Sequence, residues 1–184
     1  MLVAANLITA KELLAMGDIG RCELVRGELI MMSPSSAGHG VITARLTRWI
    51  AEFVEEHDLG LTLGAETGFI IESTPDTVRA PDMSVVLKDR VAQVIVRRGF
   101  GQGAPDLAVE VLSPDDNKKA MVAKAKLWLQ KGAKSAWIVD PQTKTVEVRR
   151  LGQKVTVLRE KDDLRDEAVL PGFSLPLKRL FKVF

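Results

Sequence analysis

Three charged side chains stand where apolar ones are expected. Glu110 interrupts Asp106-Leu107-Ala108-Val109-Glu110-Val111-Leu112, which reads as a buried central strand with both faces apolar. It shares a face with Ala108 and Leu112, so its carboxylate has little water. Burying an unpaired ion costs several kcal/mol, and three remedies are open: a salt bridge, protonation or a bound cation. Asp82 enters a second strand just after Pro81, in Ala80-Pro81-Asp82-Met83-Ser84-Val85-Val86. Alone it reads as an exposed strand-start acid. Together with Glu110 it can form one hard-cation site, the two strands entering from opposite chain directions, and oxygen-only ligation suits magnesium or manganese. Lys124 lies on the stripe Met121, Lys124, Ala125, Trp128 of a helix, where it must snorkel outward or meet a buried anion. Two carboxylates, a hard cation and a lysine are the parts needed to hydrolyse a phosphodiester.

Other chemistry is poorly supported. Gly99-Phe100-Gly101-Gln102-Gly103 is glycine-rich but precedes a strand, so a nucleotide loop is not expected. His39 and His57 are spaced wrongly for two zinc ligands on one helical face. Ser113, before Pro114, reads as turn chemistry.

The elements that must position these residues are legible in the pattern. Thr9 to Glu12 has capping-box spacing and predicts a short helix through Met16. Arg21 to Val25 and Glu28 to Met32 read as a hairpin across Arg26-Gly27. Ser33 to Gly40 reads as a loop, and Ile42, Leu46, Trp49, Ile50 and Phe53 mark an amphipathic helix from about His39 to Glu56, closed by Asp58-Leu59-Gly60. Strands are expected at Thr67 to Glu72 and Met83 to Leu87 with Ser73 to Thr77 as the turn between them, then a short helix over Asp89 to Arg97 and a loop at Gly99 to Pro105. After the Glu110 strand, a helix runs from about Asp116 to Lys131 and stops at Gly132. Strands follow at Ala136 to Val139, Thr145 to Leu151 and Lys154 to Arg159. The mixed order predicts an α/β or α+β fold, a sheet with helices packed on it.

Composition bounds the answer further. The chain of 184 residues fits one domain and has enough length to bury a core without staples. With 46% hydrophobic and 27% charged residues it is neither disordered nor fibrous. No apolar run approaches a membrane span, and the apolar start, Met1 to Ile8, is too short and too poor in basic residues for a secretory signal. A single cysteine, Cys22, excludes an internal disulfide framework and points to a reducing compartment, the cytoplasm. The net charge of +2 is too even for attraction to nucleic acid by the whole-molecule field, so any attraction must be local. The one local excess noted along the chain is six lysines (118, 119, 124, 126, 131 and 134) between Asn117 and Val139 with no acid; such a run usually forms a solvated face.

Five segments together resemble a known family: Cys22-Glu23-Leu24-Val25-Arg26-Gly27-Glu28-Leu29, Met32-Ser33-Pro34 with His39, Ala80 to Val86, Gly103 to Pro114, and Trp137-Ile138-Val139-Asp140-Pro141. They are similar to the restriction-endonuclease-like family of bacterial proteins in the PD-(D/E)XK nuclease superfamily, over roughly residues 20 to 175. The resemblance implies a restriction-endonuclease-like core, a mixed β-sheet flanked by helices, with Asp82 and Glu110 as metal-binding acids. It implies that Glu23 approaches the site from the first hairpin and identifies His39 as the histidine at the start of the long helix, with capping or hydrogen bonding as an equal alternative to catalysis. The superfamily lysine would fall at Leu112; the resemblance is to branches in which it has migrated to the next helix, at Lys124. The expectation is a magnesium-dependent endonuclease acting on DNA, manganese substituting, with Asp82, Glu110 and Lys124 catalytic. No membrane partner is expected, and a homodimer stays open. A non-catalytic nucleic-acid or protein-binding module on the same fold is the alternative, and a hydrolase of another phosphate ester is a third reading.

Overall fold

The frame of the molecule is set by how its most apolar strands pair. The computed structural model describes residues 7–182. The expectation about a secretory signal concerns Met1 to Ile8 and so lies almost wholly outside them. The site residues sit mainly on or beside β1 (Cys22–Val25), β2 (Glu28–Met31), β6 (Met83–Leu87), β8 (Leu107–Val111), α2 (Ala37–Glu56) and α4 (Lys118–Gln130), and the fold also contains β3 (Gly60–Leu63), α1 (Ala10–Ala15) and α3 (Val91–Val94). Around them lie β4 (Phe69–Glu72), β5 (Thr77–Arg79), β7 (Gly101–Gln102), β9 (Ser135–Asp140), β10 (Thr145–Arg149), β11 (Thr156–Arg159), β12 (Asp163–Asp166), β13 (Leu170–Pro176) and α5 (Leu177–Leu180).

Two larger sheets result. The first has the order β2-β1-β5-β4-β7, and the second the order β11-β10-β9-β8-β6-β3. In the second sheet β8 pairs parallel with β9 and antiparallel with β6. Parallel neighbours need a crossover, and α4 supplies it. The period-two alternation of β8 sorts its residues: Leu107, Val109 and Val111 face the side covered by Ile42, Leu46, Ile50 and Val54 of α2. Ala108 and Leu112 pack on the other side, with Ala125, Trp128 and Leu129 of α4. Glu110 belongs to that second face by its parity. The mixed α/β architecture with helices on both faces of the sheet agrees with the expected fold class.

Several expectations need correction. α2 begins at Ala37, inside the expected loop, because the Ser36 side chain caps it by accepting the His39 N–H. The expected turn between the strands at Glu72 and Met83 contains β5, which is only three residues long and is held from both sides by β1 and β4. Gly60 closes α2 as expected, but it also opens β3. Its φ of +152° is one that side-chain-bearing residues rarely adopt, and a Cβ there would lie 2.1 Å from the Val86 carbonyl oxygen. Within the Gly99 to Pro105 loop, two residues of β7 add parallel to β4. The stretch after Arg159 carried no expected element, yet β12, β13 and α5 cover the α2 side of the core. Pro171, Gly172 and Pro176 disguise β13, but its buried residues Leu170, Phe173 and Leu175 anchor it.

Asp166 fastens this C-terminal layer to the main sheet. Fully buried on β12, it accepts the Trp137 indole N–H at 2.8 Å and an Arg150 N–H at 2.7 Å. Removing one partner of a buried charged network leaves the others unpaired, at a cost of about 3 kcal/mol. Asp166→Ala should therefore lower the melting temperature by about 6–12 °C, at 2–4 °C per kcal/mol for a chain of this size, whereas Asp163→Ala on the exposed side of the same strand should shift it by under about 1 °C. Thermal melts of the two variants provide the comparison.

Candidate active site

Antiparallel pairing explains how residues 28 positions apart in the chain meet. The start of β6 lies beside the end of β8: Met83 is opposite Val109, and the Asp82 N–H donates to the Val109 carbonyl at 3.0 Å. Asp82 then reaches across, its Oδ2 accepting the Val111 N–H at 2.7 Å. The same oxygen lies 3.2 Å from Nε2 of His39, in the first turn of α2, and Oδ1 is 3.3 Å from the Arg21 guanidinium. Asp82 is 5% exposed, so the expectation of a solvated strand-start acid does not hold.

Glu110 is held from α4. Asn117 caps this helix by accepting the N–H groups of Lys119 and Ala120, and the helix runs back over the sheet. Lys124 and Trp128, one turn apart, each take one carboxylate oxygen: Lys124 Nζ is 3.0 Å from Oε2, and the Trp128 indole N–H donates to Oε1 at 2.8 Å. Lys124 Nζ also reaches Glu23 Oε1 at 2.9 Å and the Ala80 carbonyl at 2.9 Å. All three ammonium protons therefore have acceptors. Glu23 in turn accepts from Arg79 at 2.5 Å and from the Ala80 N–H at 3.0 Å.

The open question about Lys124 is thus answered geometrically. It meets the acids, while Lys126, two residues on, is exposed. Asp82, Glu110, His39 and Lys124 line one cavity of about 610 Å³ together with Arg21 and the Ser33–Ser36 loop. Glu23 does not line it; 3% exposed, it sits behind Lys124. Arg21 and Arg79 were not singled out in the sequence. Glu23, between apolar neighbours on β1, was the only signal that a cation such as Arg79 had to be nearby.

The electrostatics separate the two cavity acids. Burial raises the Asp82 pKa, but the His39 hydrogen bond and charge, the Val111 N–H and Lys124 outweigh it and hold the carboxyl below its ordinary range. At Glu110 burial prevails over the attraction of Lys124, with repulsion from Asp82 adding to it, and the pKa is pushed up to about 7. Burial also opposes the charge of Lys124, yet Glu110 and Glu23 raise its pKa overall. Glu23 lies low because Lys124 and Arg79 overcome its burial.

A divalent cation would find an all-oxygen donor set here. Each carboxylate offers about four lone-pair positions; three donors reach Asp82 and two reach Glu110. Among the described residues, no three His, Cys, Asp or Glu side chains are grouped to enclose an ion. Magnesium, where it binds proteins, characteristically takes one or two carboxylates and fills its shell with water and substrate oxygens.

A raised carboxyl pKa is also a statement about stability. A group whose folded pKa exceeds its unfolded value stabilises fully below the unfolded value and loses that contribution as pH rises through the folded one. For Glu110 the window runs from 4.5 to about 7. Glu110→Gln mimics the protonated form, so both proteins should have similar stability near pH 4.5. Above pH 7.5 the wild type should be the less stable by about 3 kcal/mol, from about 1.4 kcal/mol per pKa unit. Melts of both across this range, without divalent metal, give the difference; a difference independent of pH would mean that Glu110 titrates normally.

Comparison with known proteins places this geometry. A family model described as "Putative restriction endonuclease", Uma2, matches residues 10–178. Among solved structures, the chain is similar to the crystal structure of a "putative nuclease belonging to DUF820" from Anabaena variabilis, at 24% identity and a TM-score of 0.80, covering 95% of this chain and 97% of that one. At that identity the likeness is one of fold. No curated protein matches. The match of the family model along nearly the whole described chain shows that this protein belongs to the Uma2 family, the restriction-endonuclease-like group that the sequence segments resemble.

Proposed function

We propose that this protein is a magnesium-dependent endonuclease that hydrolyses DNA phosphodiester bonds, folded as one nuclease-like domain. Asp82 and Glu110 would hold the ion, for which manganese substitutes, and Lys124 would act on the substrate phosphate. The observation that carries the reading is Lys124 Nζ shared between Glu110 and Glu23 at the base of a cavity that also holds Asp82. In such a site a divalent ion supplies charge neutralisation at a phosphoryl oxygen and activation of water.

The chain's own residues divide the remaining work. His39 and the Val111 N–H keep Asp82 ionised and oriented. Glu110 is ionised above about pH 7, with Trp128 fixing its rotamer. Glu23, locked by Arg79, positions the lysine from behind. The Ala80 carbonyl is the one neutral acceptor of Lys124, so that N–H is the least costly to transfer to a phosphate oxygen whose charge grows in the transition state. Cys22, the only cysteine and a free thiol, supports placing the protein in the reducing cytoplasm.

One observation favours the non-catalytic alternative: every proton of Lys124 is already engaged. Metal binding and cleavage separate the readings. Manganese should raise the melting temperature of the wild type, with the logarithmic dependence on its concentration that mass action gives, and Asp82→Ala and Glu110→Ala should each abolish the rise. Because Glu110 must lose its proton first, manganese affinity should increase about tenfold per pH unit below pH 7 and level off above it. A pH-independent affinity in calorimetric titration would remove Glu110 from the ion site.

Plasmid DNA should be nicked or linearised with manganese or magnesium, and chelation should stop it. Lys124→Met should reduce cleavage about 100-fold or more, the scale of losing a preorganised donor, while manganese still binds. Lys126→Met, exposed on the same helix, should cleave at nearly the wild-type rate. Metal binding without cleavage on varied DNA and RNA would favour the binding module.

A further inference from the structure

The local basic excess visible in the sequence is largely spent inside the fold. Of its six lysines, Lys118 pairs with Glu147, Lys124 with Glu23 and Glu110, Lys131 with Glu72 and Lys134 with Asp106. A cluster without such neutralisation lies elsewhere. Arg45 and Arg48 on α2 and Arg179 and Lys182 at the C-terminal layer surround Trp49 and line a cavity of about 540 Å³. None of the four has a carboxylate partner among the described residues, and no acid lines this cavity.

The cluster is ordered as well as charged. Arg45 donates to the carbonyls of Arg179, Leu180 and Lys182, fixing the C-terminal segment against α2. The guanidinium groups of Arg48 and Arg179 lie 5.3 and 5.2 Å from the centre of the Trp49 ring. Stacking of this kind holds a guanidinium while leaving its N–H edge free for an anion. Two guanidinium groups on one aromatic ring, with Arg45 and Lys182 lining the same cavity, suit a polyanion with regularly spaced charges.

We propose that this cluster is a second anchor for nucleic acid, binding backbone phosphates away from the reaction centre. The inference rests on the nuclease reading and adds the surface that holds the substrate. The charge pattern of α2 gives a direction. Beyond Trp49 the adjoining cavity is lined by Glu52 and Glu56 as well as Arg179, and the two carboxylates repel phosphate, so a bound strand is favoured to lie on the side away from them. Arg45 and Arg48 lie six and nine residues beyond His39, about 9 and 14 Å along the helix axis and about 240° and 180° around it, so the cluster and the cavity that holds His39 open on different sides of α2. Phosphate contacts of this type position a duplex without reading its sequence.

The test is the salt dependence of binding to a fluorescent 20-base-pair duplex of arbitrary sequence, read by anisotropy with chelator present so that no cleavage occurs. Each lost phosphate contact should reduce the slope of log affinity against log salt by about 0.9. Arg48→Gln alone should lower it by about 0.9, and the triple variant Arg48→Gln, Arg179→Gln, Lys182→Gln by about 2.7. Arg45 is left intact because it holds the C-terminal carbonyls, and Arg48→Gln, a change at an exposed position, keeps the test decisive should the triple variant unfold. Lys119→Gln with Lys126→Gln, exposed on α4, should leave the slope unchanged. Binding by the wild type with the same slope in Arg48→Gln and the triple variant would overturn the anchor while leaving the nuclease reading intact. A wild type that binds no duplex at any salt would overturn both. Sedimentation with phosphatidylserine vesicles that is lost in the triple variant, with duplex binding unaltered, would reassign the cluster to a lipid surface.

Discussion

An ammonium group nearly withdrawn from water must find its counter-charge within a few ångströms, and Lys124 finds two. Its bonds to Glu110 and Glu23 join α4 to β8 of one sheet and β1 of the other, and its bond to the Ala80 carbonyl ties in the segment leading to Asp82. A single side chain therefore ties together two sheets, one helix and the entrance to β6, alongside the apolar packing of Phe69 and Ile71 on Ala108 and Trp128. Arg79 extends the link, because it ends β5 while gripping Glu23. The reaction centre we propose and the junction of the two sheets are one piece of structure. Substitution at Lys124 thus acts on the positions of both cavity-side elements as well as on charge.

Buried charge by itself does not distinguish such a site. Asp106 and Asp166 are as deeply buried as Glu110. Asp106 is paired with Arg90 and Lys134 and accepts the Leu87 N–H, and Asp166 is held by Trp137 and Arg150. In each case one acid has its own cations and no neighbouring acid is forced to share them. Around Lys124 three carboxylates crowd together, and two of them open on a cavity. Like charges held close are costly unless something repays them, and tertiary scaffolding alone is obtained more cheaply by the arrangement at Asp166. Three carboxylates gathered around Lys124, two of them open to a cavity, make this cluster the candidate for chemistry even though Arg21 and Arg79 match their charge.

The residues most legible in the sequence were those that broke a strong pattern. Glu110 stood out because β8 is otherwise apolar on both faces, and Lys124 because it occupied an apolar stripe. Their meeting followed from a crossover helix that had to return over its own sheet. Elements were lost where the pattern was too short or disguised: β5 and β7 have three and two residues, and β13 carries prolines and a glycine that read as breakers. Arg21 and Arg79 were invisible for a different reason. An arginine at a strand end is ordinary, and only the three-dimensional neighbourhood of Asp82 and Glu23 gives it a role. Charge was misleading at larger scale, since four of the six lysines between Asn117 and Val139 are paired with acids, whereas the cations around Trp49 come from distant segments.

The two cavity acids show how one environment can hold similar groups in different states. Asp82 and Glu110 lie at adjoining strand ends and face the same lysine. Asp82 has a backbone N–H, an imidazole and an edge of exposure to a guanidinium, and these favour its charged form. Glu110 is more completely buried, has one cation that it must share with Glu23, and feels the charge of Asp82. The result is one carboxylate that is ionised at all physiological pH values and another poised near neutrality. Separated pKa values in a close pair are a general signature of divided roles. Here the division falls between an acid fixed in charge by α2 and an acid fixed in place by α4, so the chemistry of the cavity depends on two helices that pack on opposite faces of the same sheet.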